Sequence, residues 1–468
     1  MSVFSYVRRK TEPAGGSGER GSKRWQVGTL VYTSAGLMAL FFWLLGGDFA
    51  VYMKERAVYA VAQIVLRNFE ASDWIVGLLV GSIPAAIGMF FGPVISVISD
   101  RHRSRLGRRI PFLIFSTPII SLSMIALAFA SPMGQALHQV LAQHSPGESG
   151  CRIIVFGFFW TIFEVATVTV NTLFLALIND VVPQRIIGRF FALFRAVSLL
   201  AGVLFNFFLM GHAKEQAPWI FAGLSVLFFV GFALMCFKVK EGEYEVPKQE
   251  PCATLRTRIV SPVVSYIREC FSKPFYLWIF LAATLGLVSM APVNTFSVFH
   301  GRSLGMSDDL YGKCLAMCYT VSFLLAYPLG ALADRIHPIR LAITIMVLYA
   351  AAMLSGYFLA TSAVSFFVVF SLHVIISGAY LTGTASIMQR LFPPARFAQF
   401  ASAAQLTAAV FMMIIPPAVG VLVESMNRNY QIVFILGSVL AAVSAAAYVM
   451  VLIVFIRHGG DRAYTPPQ

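Results

Sequence analysis

The sequence predicts an all-α membrane protein of twelve transmembrane helices, arranged as two similar six-helix halves. Three observations predict it. The 468 residues are 58% hydrophobic and only 12% charged, with a mean hydropathy of +0.77, whereas soluble domains carry about 25% charged residues. Apolar stretches of the about 20 residues that a bilayer-crossing helix needs recur from end to end. Three short motifs of the first half return in the same order in the second.

Residues 1–27 read as a cytoplasmic tail. The basic patch Arg8-Arg9-Lys10 has no apolar stretch before it, so it is not a cleaved signal peptide. Residues 11–27 are polar and Gly-rich, and disorder is expected there. A short surface segment is expected around Trp25 to Thr33, ahead of a first span from about Leu37 to Leu66. Further spans lie at about 74–98, 110–130, 152–178, 188–210 and 219–237, completing a first bundle over 28–237. The Pro- and Gly-containing stretch 131–150 is expected as a long loop. A polar central linker, 238–273, precedes a second bundle over 274–456 and a tail of 457–468. The spans of that bundle lie at about 275–300, 312–332, 340–361, 364–388, 397–423 and 430–456.

The net charge of +14 does not indicate nucleic acid, because the positive residues gather in alternate loops. The N-terminal tail carries six Lys/Arg against Glu12 and Glu19, and the segment from Asp100 to Arg109 five Arg against one Asp. The intervening loops stay near neutral. That is the positive-inside pattern, which places both termini in the cytoplasm, and a bacterial inner membrane is the expected location. The six cysteines form no disulfide framework, and no Cys/His cluster has metal-ligand spacing. Cys314 and Cys318 share a helix face. No phosphate-binding Gly-x-x-x-x-Gly-Lys-Ser/Thr loop occurs and no cytoplasmic segment is large enough for a catalytic domain, so neither an enzyme nor an ATP-driven pump is expected, and no cofactor.

The repeat is legible residue by residue. Ser72-Asp73-Trp74 opens span two and Ser307-Asp308-Asp309 opens span eight; Asp100-Arg101 returns as Asp334-Arg335; Val182-Pro183 through Phe190 is echoed by Phe392-Pro393 through Phe400. Two six-span halves in parallel order are the layout of a transporter with its site at their interface.

The basic hinge holds most of the motif chemistry. Asp100 closes span two, and Arg101, Arg103, Arg105, Arg108 and Arg109 follow. Gly92 is expected to allow close helix approach and Gly107 a tight turn. Asp100 can accept hydrogen bonds from an arginine, which makes the hinge a cytoplasmic latch; the plainer reading is a positive-inside anchor. A similar set is drawn from Asp180, Arg185 and Arg189. The hinge resembles the signature loop of the major facilitator superfamily, whose pattern is Gly, then Asp-Arg, then Gly-Arg-Arg. Its longer form, Asp100 through Arg109 and then Pro111-Phe112, most resembles the glycoside–pentoside–hexuronide cation symporters and the related plant sucrose carriers. The copy at Asp334-Arg335 lacks the Gly-Arg-Arg.

Ionisable residues at membrane depth are functional candidates, because exposing them to lipid is costly. Glu164 falls near the middle of span four and Arg195 about eight residues into span five. Either they form a fixed salt bridge, or the carboxylate exchanges the arginine for a proton. The resemblance implies the second, since sucrose carriers place a proton- and sugar-binding acid on span four and an arginine on the next span. Asp48, in Gly46-Gly47-Asp48, resembles the first-span Gly-Lys-Asp of melibiose-type symporters, with Gly47 in place of the lysine. Glu55 shares its helix face. Lys54 and Arg56 are read as satisfying Glu55 or reaching toward the interface. Trp43, Trp160, Asn171, Asn206, Asn294, His373 and Gln405 complete the candidate lining, each also readable as a packing residue. Span two carries no acidic pair of the sodium type, which favours H+ over Na+. The expected activity is proton-coupled symport of a glycoside or oligosaccharide by a monomer in the lipid bilayer. The alternatives are a carrier of another solute, by sodium-coupled uptake or proton-driven efflux, and a solute sensor on a carrier scaffold.

Overall fold

The computed structural model describes residues 7–9, 25–183, 186–243, 261–393 and 396–466. Strands β1 (Val7–Arg9), β2 (Trp25–Val27) and β3 (Leu30–Tyr32) form a small antiparallel sheet in the order β1-β3-β2. The surface segment expected around Trp25 is therefore a hairpin. Gly28, at φ +53°, makes its turn, and alternation buries Leu30 and Tyr32 on one face. Residues 1–6 and 10–24 of the expected tail lie outside the described residues.

Helix α1 (Ser34–Asn68) starts where Thr33 Oγ1 accepts from Gly36 N at 3.1 Å, an N-cap bond. Its 35 residues extend about 50 Å. Span two follows as α2 (Asp73–Val76), a π-helical turn (Gly77–Ser82) and α3 (Ile83–Arg101). After α4 (Ile110–Ala128) comes α5 (Ala130–Leu141), so most of the loop expected over 131–150 is helical instead. Pro132 falls in the first turn of α5, where a missing N–H costs nothing. Gly134 is a contact rather than a break: a Cβ there would lie 2.5 Å from Arg152 Cα.

The first half ends with α6 (Glu148–Val181), α7 (Ile187–Phe208) and α8 (Ala217–Lys238). Within the expected linker, 244–260 lie outside the described residues and Ser261–Phe271 forms α9. Span seven consists of α10 (Pro274–Val288) and α11 (Ala291–Ser303). Then come α12 (Asp308–Ile336), α13 (Pro338–Leu359), α14 (Ala363–Gly383), α15 (Ile387–Leu391), α16 (Phe397–Ser425), α17 (Ile432–Arg457) and α18 (Gly460–Ala463). Among the described residues eleven segments are long and apolar enough to cross a bilayer. Helix α7, with a shorter apolar stretch over Leu193–Phe208, lies at the fifth expected span.

Packing divides the chain into two compact units that do not follow the sequence halves to the residue. The first comprises residues up to Glu70, Phe90–Phe205 and His212–Lys248; the second takes Ala71–Met89, Asn206–Gly211 and the chain from Gln249. In the first unit α1 packs on α8, and α4 on both α6 and α8. In the second, α17 packs on α13 and α10, while α2 and the π-turn lie on α16. Glycine makes that last contact: a Cβ on Gly77 would stand 2.6 Å from Pro416 O, one on Gly81 2.7 Å from Pro416 Cβ, and one on Gly420 2.6 Å from the Asp73 backbone. Ser82 Oγ donates to the Met413 carbonyl. Asp73, fully buried, accepts from Tyr430 OH at 3.3 Å and faces Arg428 Nε at 3.8 Å.

Candidate functional site

The basic hinge joins α3 to α4, and its charges are paired in the first unit. Arg109 forms an ion pair with Asp100 and donates from Nη1 to Ser99 Oγ at 3.0 Å; Arg108 Nη1 stands 3.4 Å from Asp100. Both arginines also reach Asp180 at the end of α6. Arg108 does so from Nη2 at 2.6 Å and Nε at 3.1 Å, Arg109 from Nε at 3.4 Å. Asp180 was expected with Arg185 and Arg189, but its described partners come from the other loop. Arg185 and the Arg189 side chain lie outside the described residues. Arg101 and Arg105 are exposed. Gly92 is not the site of a close approach: a Cβ there would meet Thr172 Oγ1 at 3.7 Å, an ordinary contact.

Sequence reasoning missed the residue at the centre of the hinge. Glu241, from the start of the linker, accepts from Arg108 N (2.9 Å), Arg109 N (2.8 Å) and Ile110 N (2.7 Å). These are N–H groups at a helix start, which lack intrahelical partners, and α4 has no side-chain cap of its own. The signal available was that missing cap together with the acids that begin at Glu241, directly after Lys238 and Lys240. Gly107, at φ +114°, makes room: a Cβ would fall 2.5 Å from Glu241 Cδ. Gly107→Ala should therefore lower the midpoint of thermal unfolding, at a cost of about 2 kcal/mol or more. In a double-mutant cycle that loss should not add to that of Glu241→Gln, because both dislodge one carboxylate; additive losses would separate the two positions. The β2–β3 hairpin holds the next linker residues, with Thr29 Oγ1 accepting from Glu243 N at 2.8 Å.

The second copy of the hinge is built differently. Arg335 is exposed, and the Asp334 side chain lies outside the described residues. Here His337, at φ +72°, caps α13 by accepting from Ile339 N through Nδ1 at 3.3 Å. Burial holds its pKa below the ordinary value, opposed by Asp461 and assisted by Arg390 and Arg340. A lowered folded pKa means that the unfolded chain binds the proton more readily. The contribution is then complete above the unfolded pKa of about 6.5 and fades as pH falls below it. Unfolding measured from about pH 8 to 5 should show an acid-side loss of stability that His337→Gln reduces; an unchanged slope would remove the role.

Deeper in the first unit, α1 and α6 bring together the charges at membrane depth. Glu164 is 1% exposed; its Oε2 accepts from Tyr59 OH at 2.9 Å, and its Oε1 has no hydrogen-bond partner among the described residues. The cation beside it is Lys54, within electrostatic reach. Lys54 does not reach toward an interface, as the sequence reading allowed. It is 0% exposed, donates from Nζ to Thr167 Oγ1 at 3.1 Å, and lies 5.3 Å and 5.5 Å from the ring centres of Phe163 and Phe228. Aromatic faces attract an ammonium. Arg195, the expected partner, is exposed and lies within electrostatic reach of Tyr52.

Asp48, Tyr52, Glu55 and Tyr59 follow one another at helical spacing on α1. Asp48 is fully buried, and neither of its carboxyl oxygens has a hydrogen-bond partner among the described residues. Glu55 accepts from Asn171 Nδ2 at 2.6 Å. Trp160 is fully buried, edge-on to Tyr59 at 5.3 Å and stacked on Phe156; it supports Tyr59 instead of lining a surface. Trp43 sits apart, its ring 5.8 Å from Lys238 Nζ at the hinge end of α8. In the second unit, buried His373 receives Tyr349 OH on Nδ1 at 2.8 Å and donates from Nε2 to Asn294 Oδ1 at 3.0 Å, and Asn294 is exposed. Asn206 is buried and Gln405 exposed.

Residues 47–393 match the family described as MFS/sugar transport protein. No curated protein sequence matches the chain. Among solved structures, a bacterial homologue of the human lysosomal transporter Spinster, inward-facing and unoccupied, is 16% identical with a TM-score of 0.63, over 92% of this chain and 98% of that one. The nucleoside transporter NupG is 12% identical with a TM-score of 0.65, over 88% and 99%. A D-xylose–proton symporter is 15% identical with a TM-score of 0.61, over 88% and 95%. At such identities the likeness is one of fold.

Proposed function

The chain belongs to the MFS/sugar transport protein family of the major facilitator superfamily, and we propose that it works there as a proton-coupled symporter of a glycoside or oligosaccharide, by alternating access. It is a multi-pass membrane transporter of a small molecule; the sugar class and the proton are the proposed part. The observation that carries the proton is Glu164, a buried carboxyl with one oxygen held by Tyr59 and the other unpartnered. Lys54 lies within electrostatic reach, and its only described acceptor is Thr167. An ammonium has three donors, so ionised Glu164 can draw Lys54 toward Oε1. A proton on Glu164 releases that attraction and turns the carboxyl into a donor for a substrate hydroxyl. Within the first unit, the exposed amide of Asn171, held by Glu55, is the group that best fits a sugar hydroxyl.

Binding sugar and proton together in one conformation, and losing both in the other, couples their gradients. The Asp100–Arg109 and Asp180–Arg108 pairs serve as the latch whose breaking accompanies the change, and the basic hinge is assigned to the cytoplasmic side of a bacterial inner membrane. Proteoliposomes loaded with buffer and offered a panel of labelled glycosides test the reading. Accumulation should follow an imposed pH gradient and be indifferent to a Na+ gradient. Accumulation driven by Na+ alone, or expulsion of solute against inward proton flow, would replace it with one of the alternatives.

A further inference from the structure

We infer that the first unit binds the headgroup of a zwitterionic phospholipid, one carrying a phosphate and a primary ammonium, in a cleft at the end of its helices opposite the basic hinge. The cleft holds about 310 Å³, at the lower end of the about 300–1,000 Å³ of small-ligand sites. It opens between the last turn of α1, the α4–α5 junction and the first turns of α6 and α8. Phe69 and Phe221 give it an apolar floor, and Asn68, Arg152, Lys214 and Glu215 converge on it as polar groups.

Arg152 is held in place. Gly134 of α5 packs on its backbone, its guanidinium lies 5.9 Å from the Phe69 ring centre, and Nη2 meets Glu148 at 2.5 Å. Its Nε has no hydrogen-bond partner among the described residues. A guanidinium has five donors, so one carboxylate leaves it with capacity to spare. Lys214 and Glu215, adjacent and exposed, form no ion pair among the described residues. Two cations and an unpaired carboxylate around an apolar floor match a phosphate and an ammonium joined to acyl chains. The place fits as well: the cleft lies at helix ends, where headgroups lie, and Trp219 beside it is 79% exposed, as aromatic residues at the membrane–water interface are.

The test is native mass spectrometry of the delipidated full chain, titrated with phosphatidylethanolamine, phosphatidylcholine or phosphatidylglycerol, with glycerophosphoethanolamine as a soluble arm. Phosphatidylethanolamine should be retained about tenfold more tightly than the other two, because methylation removes the ammonium donors to Glu215 and the glycerol headgroup carries no cation. Glu215→Gln should erase the preference over phosphatidylcholine, and Lys214→Gln should weaken retention of all three. Both side chains are exposed, so both variants should fold. Equal retention of the three lipids, or variants that bind as the wild type does, would overturn the assignment. Displacement by glycerophosphoethanolamine at equal concentration would overturn it in favour of a soluble ligand.

Discussion

Glu164→Gln should abolish accumulation driven by a pH gradient while leaving exchange of substrate across the membrane. One pH unit supplies about 1.4 kcal/mol per proton, enough for about tenfold accumulation at one proton per sugar. In the variant the internal-to-external ratio should fall to about one. Gln keeps the volume and an acceptor for Tyr59 OH, so counterflow of labelled against unlabelled sugar should continue and report that the protein is folded. Wild-type accumulation in Glu164→Gln would remove the coupling role. Loss of counterflow as well would reassign Glu164 to binding or structure.

Glu241→Ala should have the largest effect on stability. It strips three backbone N–H groups of a charged acceptor at a residue that is 3% exposed. Hydrogen bonds to charged groups contribute about 1.5–3 kcal/mol each, and water recovers part of the loss, so a net cost of about 3 kcal/mol is expected. The side chains of two of these three residues, Arg108 and Arg109, hold Asp100 and Asp180. Their displacement should slow transport about tenfold or more at equal membrane abundance. Thermal unfolding in detergent and initial uptake rates are the readouts, and Glu241→Asp should fall between the two. An unfolding midpoint and uptake rate unchanged in Glu241→Ala would show that the hinge is organised without the linker.

Hydrophobicity is a property of the chain read in one dimension, so the spans were legible, and the charge clustered from Asp100 to Arg109 marked the hinge. What the sequence does not show is which groups meet. Tyr59 and Glu164 are 105 residues apart, Lys54 and Thr167 113, and Glu241 and Arg108 133. No local spacing encodes such pairs, and depth along a neighbouring span, by which Arg195 was chosen, does not tell that Tyr59 and Lys54 of α1 are the groups beside Glu164. Of the two readings of Lys54, the one that took it to an interface fails, because the Phe163 and Phe228 rings and Thr167 give it a place inside, within electrostatic reach of Glu55. The stretch over 131–150 was misread because composition does not tell a Pro in a first turn, or a Gly at a contact, from a loop.

The seam between span two and α16 sets a limit on how this sequence can change over time. Gly77, Gly81 and Gly420 each face backbone or proline where a single added methyl would stand 2.6 to 2.7 Å from its neighbour. A rigid obstacle cannot rotate away as a long side chain does, so no one substitution at these positions is small. Drift there should proceed in linked steps, with a change at Gly77 or Gly81 accompanied by one near Pro416, and a change at Gly420 by a shift of the chain at Asp73. In descendants of this chain those positions should stay fixed together or move together, while the exposed arginines of the hinge, Arg101 and Arg105, exchange freely with lysine.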